Sequence, residues 1–285
     1  MAVKKGTRIR LLAKPDWGLG ELVEDGSTNS LRVFFENAGV RQLAPSLAKY
    51  EVISGAAAKS AILDNLSVKA LQPGARYFSV RHAIERFLEL YPGGFYGEEY
   101  KSRERTYKAK ASNLAKELLD AKVTGKKRQR GEYGEICLDA LRVVNATNLI
   151  FPNEKMTLKD GLKSKQSSKR FAEGLCDLLA QPDLDETRFT RFAVVLQDIG
   201  AGKCTIASYF PYLVFPQAHM FVKPTVTQKA AELSAFDLNY KPDLNWFTYE
   251  RVLEFSRRLR NDLKDLKPRD MIDVQSFMWC IAPEI

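Results

Sequence analysis

Apolar residues recur along this chain with two different periods, and the change of period divides it. Residues 7–12 (Thr-Arg-Ile-Arg-Leu-Leu), 20–25, 31–36 (Leu-Arg-Val-Phe-Phe-Glu) and 40–43 are short β-prone runs. Between them lie Pro15-Asp-Trp-Gly-Leu-Gly20, Asp25-Gly-Ser-Thr-Asn-Ser30 and Asn37-Ala-Gly39, rich in residues that pre-set a turn or tolerate positive φ. Short strands at this spacing predict a small β-barrel. From Val80 the period becomes helical: Val80, Ala83, Ile84, Phe87, Leu88 and Tyr91 form one stripe. Residues 106–122, 132–147, 156–164, 168–180, 186–198, 204–214, 226–234 and 247–266 read as further helices, with breaks at Pro92-Gly-Gly94, Pro152, Pro182 and Pro242. The pattern predicts a mainly α protein: a barrel over 1–55, a connection over 56–74 and a helical domain over 75–285. No repeat of solenoid period is present.

Length and composition agree with this division. A chain of 285 residues suits about two domains, and 45% hydrophobic with 28% charged residues is an ordinary globular balance. The longest nearly uncharged apolar stretch, Tyr209 to Phe221, is broken by Pro211 and Pro216 and is too short to span a bilayer. No apolar segment follows Lys4, Lys5 and Arg8, so a cytoplasmic protein without a membrane partner is expected. Cys137, Cys176, Cys204 and Cys280 lie far apart without a CxxC pair and read as reduced thiols. His82 and His219 suggest neither a metal site nor a catalytic dyad, and no metal or organic cofactor is implied.

Charge changes the picture more. The net charge is +9, and residues 101–130 alone hold eleven Lys or Arg against three Asp or Glu. This segment reads as a basic helix running into a basic, glycine-bounded loop, Gly125-Lys-Lys-Arg-Gln-Arg-Gly131, in which Lys126, Lys127, Arg128 and Arg130 would track phosphates. A solvated surface, or an acidic protein partner, would use the same residues.

The most informative stretch is Phe192 to Ser208, where one apolar helix stops at Gly200-Ala-Gly202 and another begins at once. Two glycines permit a tight turn, and the free N–H groups of the second helix, with Lys203, can hold a phosphate. Gly200, Gly202, Lys203 and Thr205 are therefore candidate DNA contacts, although such a turn also serves simply to join two helices. The turn resembles the helix-hairpin-helix of the base-excision DNA glycosylase superfamily. That resemblance implies a catalytic Asp in the loop before the next helix, and here the loop reads Phe221-Val-Lys-Pro-Thr-Val226 with Lys223 at the expected place.

Two further resemblances add to this. Trp17-Gly-Leu-Gly20 with Phe35-Glu-Asn-Ala-Gly39 is similar to the SH3-like or Tudor-like modules appended to bacterial helicases and polymerase-binding proteins, which implies a nucleic-acid or protein contact, with Trp17 either stacking on a base or packing in the core. Pro92-Gly-Gly-Phe95, Glu104-Arg-Thr-Tyr-Lys108, Asn148 to Met156, His219 to Pro224 and Pro268 to Trp279 resemble the Brig-type anti-phage DNA glycosylases. Those enzymes remove glucosylated hydroxymethylcytosine, so the resemblance implies double-stranded phage DNA with modified bases as the partner.

Excision of a base breaks a C1′–N bond through an oxocarbenium-like state, for which a carboxylate is the expected tool, and the base must first be flipped out. Glu154, Asp198 and Asp273 are the candidate carboxylates. Each has a plainer use: Glu154 as an acid at a helix start, Asp198 paired with Lys203, and Asp273 buried against Arg269 or a backbone amide. Lys223, if desolvated, becomes a candidate nucleophile at C1′; otherwise it contacts phosphate or pairs with an acid. Tyr209, Tyr212, Gln275 and Trp279 are candidates for a base pocket, against a role in the core. The leading expectation is a DNA N-glycosylase acting in anti-phage defence, and the rival is a non-catalytic DNA-binding adaptor for a polymerase or helicase.

Overall fold

The computed structural model describes residues 3–67, 71 and 79–282. Five strands, β1 (Arg8–Leu11), β2 (Leu19–Leu22), β3 (Leu31–Phe35), β4 (Gly39–Leu43) and β5 (Tyr50–Ile53), form one antiparallel sheet in the order β4-β3-β2-β1-β5. The fifth strand, Tyr-Glu-Val-Ile, lacks an alternating pattern and is held by pairing with β1, Val52 opposite Ile9. Ile9, Leu11, Leu22, Leu31, Val33 and Phe35 fill one core. Gly20 stands opposite Phe35 in register, and a Cβ there would lie 2.7 Å from the Phe35 ring, so the small residue lets the aromatic cross the strand. Of the predicted connection at 56–74, short 3₁₀ turns occupy Gly55–Ala58 and Leu63–Asn65, and residues 68–70 and 72–74 lie outside the described residues.

The helices are α1 (Val80–Leu90), α2 (Glu98–Tyr100), α3 (Thr106–Leu118), α4 (Ala121–Gln129), α5 (Tyr133–Asn145), α6 (Pro152–Gly161), α7 (Lys165–Leu178), α8 (Glu186–Asp198), α9 (Cys204–Val214), α10 (Pro224–Leu233), α11 (Trp246–Asp262) and α12 (Met271–Ile281). A π-helical turn, Lys101–Arg105, joins α2 to α3. None of the described helices is long and apolar enough to cross a membrane. The chain divides into two compact units, one of residues 1–90, 228–237 and 281–285, the other of 91–227 and 238–280. In the first unit the stretch after α10 joins the sheet-bearing part: the Ser67 N–H donates to the Ala235 carbonyl at 2.9 Å, and Ala235 packs with Leu19, Val23, Phe34 and Leu63.

The structure corrects the expected basic loop at 125–131. Asp120 caps a helix by accepting from the Lys122 N–H at 2.8 Å, α4 continues through Gly125, and Gly131 ends it with φ +72°. An isolated glycine costs a helix about 1 kcal/mol, which the packing of α4 on α5 and α7 offsets. Residues 271–281, which lie outside the predicted helices, also form a helix, nearly all of it buried, so no polar face marks its period.

The turn between α8 and α9 follows from its glycines. The Ala201 N–H donates to the Leu196 carbonyl at 2.7 Å and the Gly200 N–H to Gln197 at 2.9 Å, the paired bonds of a Schellman stop. Gly200 takes φ +75°, and a Cβ on Gly202 would lie 2.8 Å from Gln197. The last residue of α6 packs on this turn: a Cβ on Gly161 would lie 2.4 Å from the Ile199 carbonyl oxygen. Gly161→Ala is therefore expected to destabilise the protein by about 1–2 kcal/mol, because a backbone collision outweighs the gain of about 1 kcal/mol in helix propensity. Urea denaturation of the two proteins checks this.

Candidate functional site

In the second unit, four residues singled out in the sequence come together around the start of α6. Pro152 occupies the first turn of α6, and Phe151 stands at the N-cap, where Ser, Thr, Asp or Asn would be preferred. Glu154, at the third helical position, reaches back so that its Oε2 accepts from the Phe151 N–H at 3.3 Å. Its Oε1 accepts from the Thr205 hydroxyl at 3.0 Å, in the first turn of α9. Lys223, immediately before α10, holds its ammonium 4.4 Å from the Phe151 ring centroid and 5.6 Å from that of Trp279 on α12. Burial pushes the Lys223 amine below the ordinary lysine value, and the charge of Glu154 opposes that shift.

The cluster is open to solvent on its aromatic side. Phe151 is 53% exposed and Trp279 is 47% exposed, an unusual exposure for two large rings flanking one cation. The next residue of α6, Lys155, donates its Nζ to the Thr147 carbonyl, and burial pushes its amine below the ordinary value. Beneath, the Thr147 hydroxyl bonds the Tyr209 hydroxyl at 2.7 Å, and that hydroxyl donates to the Val143 carbonyl at 3.0 Å. One carboxylate, one amine and two exposed rings can bind a phosphate, stack a planar group and stabilise a developing cation. Phe151 and Lys155 were not marked in the sequence; the signal was an aromatic in place of a capping side chain directly before Pro152.

The other candidate carboxylates lie elsewhere. Asp273 is wholly buried and accepts from Tyr100 at 2.7 Å, from Arg105 at 3.2 Å and from the Arg269 N–H and Nε at 2.8 and 2.9 Å. The π-helical turn delivers Arg105, which also pairs with Asp270. With all of these contacts taken, Asp273 is the anchor that holds α12 to the segment around Tyr100. Asp198 is exposed and pairs with Arg170 rather than Lys203. Tyr209 and Tyr212 lie wholly in the core, and Gln275 is buried; the Tyr212 hydroxyl and Gln275 Oε1 have no hydrogen-bond partner among the described residues.

Among the proposed phosphate contacts, Lys203 is exposed at the N-cap of α9, and the first N–H groups of that helix have no intrahelical partner. On α4 and just beyond it, Lys126, Arg128 and Arg130 are exposed, Arg130 beside Glu132 at 3.0 Å, while Lys127 turns inward to Asp139. Trp17 belongs to the other unit, where it packs edge-on against Phe35 at 5.3 Å with the Arg41 guanidinium 5.5 Å above its ring. No protein-family model, curated protein or solved structure matches the chain.

Asp273→Asn is expected to destabilise the fold by about 3 kcal/mol, because Arg105 and Arg269 lose a buried countercharge. A denaturant titration showing less than about 0.5 kcal/mol would return Asp273 to the list of groups free to do chemistry.

Proposed function

We propose that this protein is a DNA N-glycosylase of helix-hairpin-helix type, which seats duplex DNA on the α8–α9 turn and excises a flipped, modified base at Glu154. The observation that carries the reading is the hydrogen bond from Thr205 to Glu154 at 3.0 Å, which sets a carboxylate beside the helix start best suited to hold a DNA phosphate. A bare glycine turn would do no more than bind. A carboxylate held beside it, with two exposed rings, matches what base removal requires.

In this reading Phe151 and Trp279 stack the extruded base, every base having a π-face to offer. As the C1′–N bond breaks, the base departs with its electron pair, and Glu154 stabilises the positive charge left on the sugar. Glu154 then accepts a proton from the water that attacks C1′, leaving an abasic site. Lys223 and Lys155 supply positive charge for the phosphates flanking that nucleotide, and the exposed cations of α4 extend the grip along the duplex. The five-stranded sheet serves as an SH3-like or Tudor-like module for a second contact, with DNA or with a protein. The resemblance of the segments around Phe95, Phe151, Lys223 and Trp279 directs the choice of substrate to phage DNA carrying glucosylated hydroxymethylcytosine.

The test incubates the purified protein with that DNA and with matched unmodified DNA, then measures free base by mass spectrometry and abasic sites chemically. Release from the modified DNA alone is expected, and Glu154→Gln should slow it about 10²- to 10⁴-fold with DNA affinity kept within about twofold. Borohydride should trap no protein–DNA adduct; an adduct at Lys223 would replace water by the amine as the attacking group. Salt-sensitive binding without release of any base would instead establish the adaptor.

A further inference from the structure

We infer that Thr205 is a positioning residue for Glu154, so that the helix which docks on DNA also aims the carboxylate; the inference rests on the excision reaction proposed above. Thr205 is buried in the first turn of α9, and its one hydroxyl proton is committed to Glu154 Oε1 at 3.0 Å. The second oxygen is held by the Phe151 N–H at 3.3 Å. With Phe151 alone, the carboxylate could rotate about its terminal torsion, which is broad and nearly two-fold. The second donor, from a residue 51 positions away in the chain, removes that freedom.

The geometry also assigns Thr205 a part different from phosphate contact. Its hydroxyl points to Glu154, and the groups left to face a phosphate are the exposed Lys203 and the N–H groups of the helix start. At its other end α6 rests on the same turn, through Gly161 against the Ile199 carbonyl. Glu154 is thereby tied to the hairpin at both ends of the helix that carries it. Seating the turn on a DNA backbone sets the carboxylate relative to the sugar without any further movement of α6, which is the kind of placement from which orientation effects on rate arise. The loss of Thr205 should appear in the rate of the chemical step and not in affinity.

The experiment is a double-mutant cycle on the full chain with Thr205→Val, Glu154→Gln and the double variant, with Thr205→Ser as the conservative control. Single-turnover excision at saturating protein, DNA affinity and urea denaturation are measured for each. Thr205→Val is expected to slow excision about tenfold, the effect of one hydrogen bond to a charged group, with affinity kept within about twofold. Thr205→Ser should restore the rate, and in the Glu154→Gln background Thr205→Val should change it less than about twofold. Weaker binding at an unchanged rate would overturn the inference and make Thr205 a DNA contact, as would equal slowing in both backgrounds. If the wild-type protein excises nothing, the proposed function falls. The denaturation cycle then decides the contact independently: additive losses overturn it, and non-additive losses keep the Thr205–Glu154 bond while removing its catalytic meaning.

Discussion

Helix α6 has to meet the α8–α9 turn at both of its ends, and the arrangement of the site depends on that constraint. At the C-terminal end only a hydrogen at Gly161 leaves room for the Ile199 carbonyl. At the N-terminal end Glu154 must lie within reach of Thr205, while also capping its own helix through the Phe151 N–H. Pro152 and the N-terminal position of Glu154 make the helix start well defined. Phe151 is then carried outward, where it faces Lys223.

Burial sorts the three candidate acids. Asp273 gives all of its acceptor capacity to Tyr100, Arg105 and Arg269, which satisfies a charge that would otherwise be costly in the interior. Asp198 sits in solvent beside Arg170, where an ion pair contributes little. Glu154 alone combines partial burial with two neutral donors and with cations that do not close on it as ion pairs. Lys223 and Lys155 are each desolvated, Lys223 against rings and Lys155 against a carbonyl.

Much of the fold was legible in the sequence because amphipathic periods report burial on one face. The stripe at 80–90 and the helix at 186–198 are of that kind, whereas α9 is buried on every side and was placed by the glycines of the turn before it. Where burial is not one-sided the signal fails. Strand β5 has no alternation to read, α12 is apolar on nearly every side, and α4 is polar all round with a glycine inside it. The site was legible as a set of residue types: Glu154, Thr205, Lys223 and Trp279 each stood out singly. Their meeting was not, since Thr205 and Glu154 are 51 residues apart and only the packing of α6 on the turn joins them. Tyr209 and Tyr212 show the opposite limit, because a dense aromatic run looks the same in sequence whether it lines a pocket or fills a core.

The most direct measurement is binding to a duplex bearing a 1-azaribose abasic analogue, whose protonated ring nitrogen carries the charge of the transition state, compared with an uncharged tetrahydrofuran analogue. If Glu154 stabilises the sugar cation, the wild-type protein binds the charged analogue at least about tenfold more tightly, and Glu154→Gln abolishes the preference. Equal affinity of the wild-type protein for the two duplexes would contradict the account.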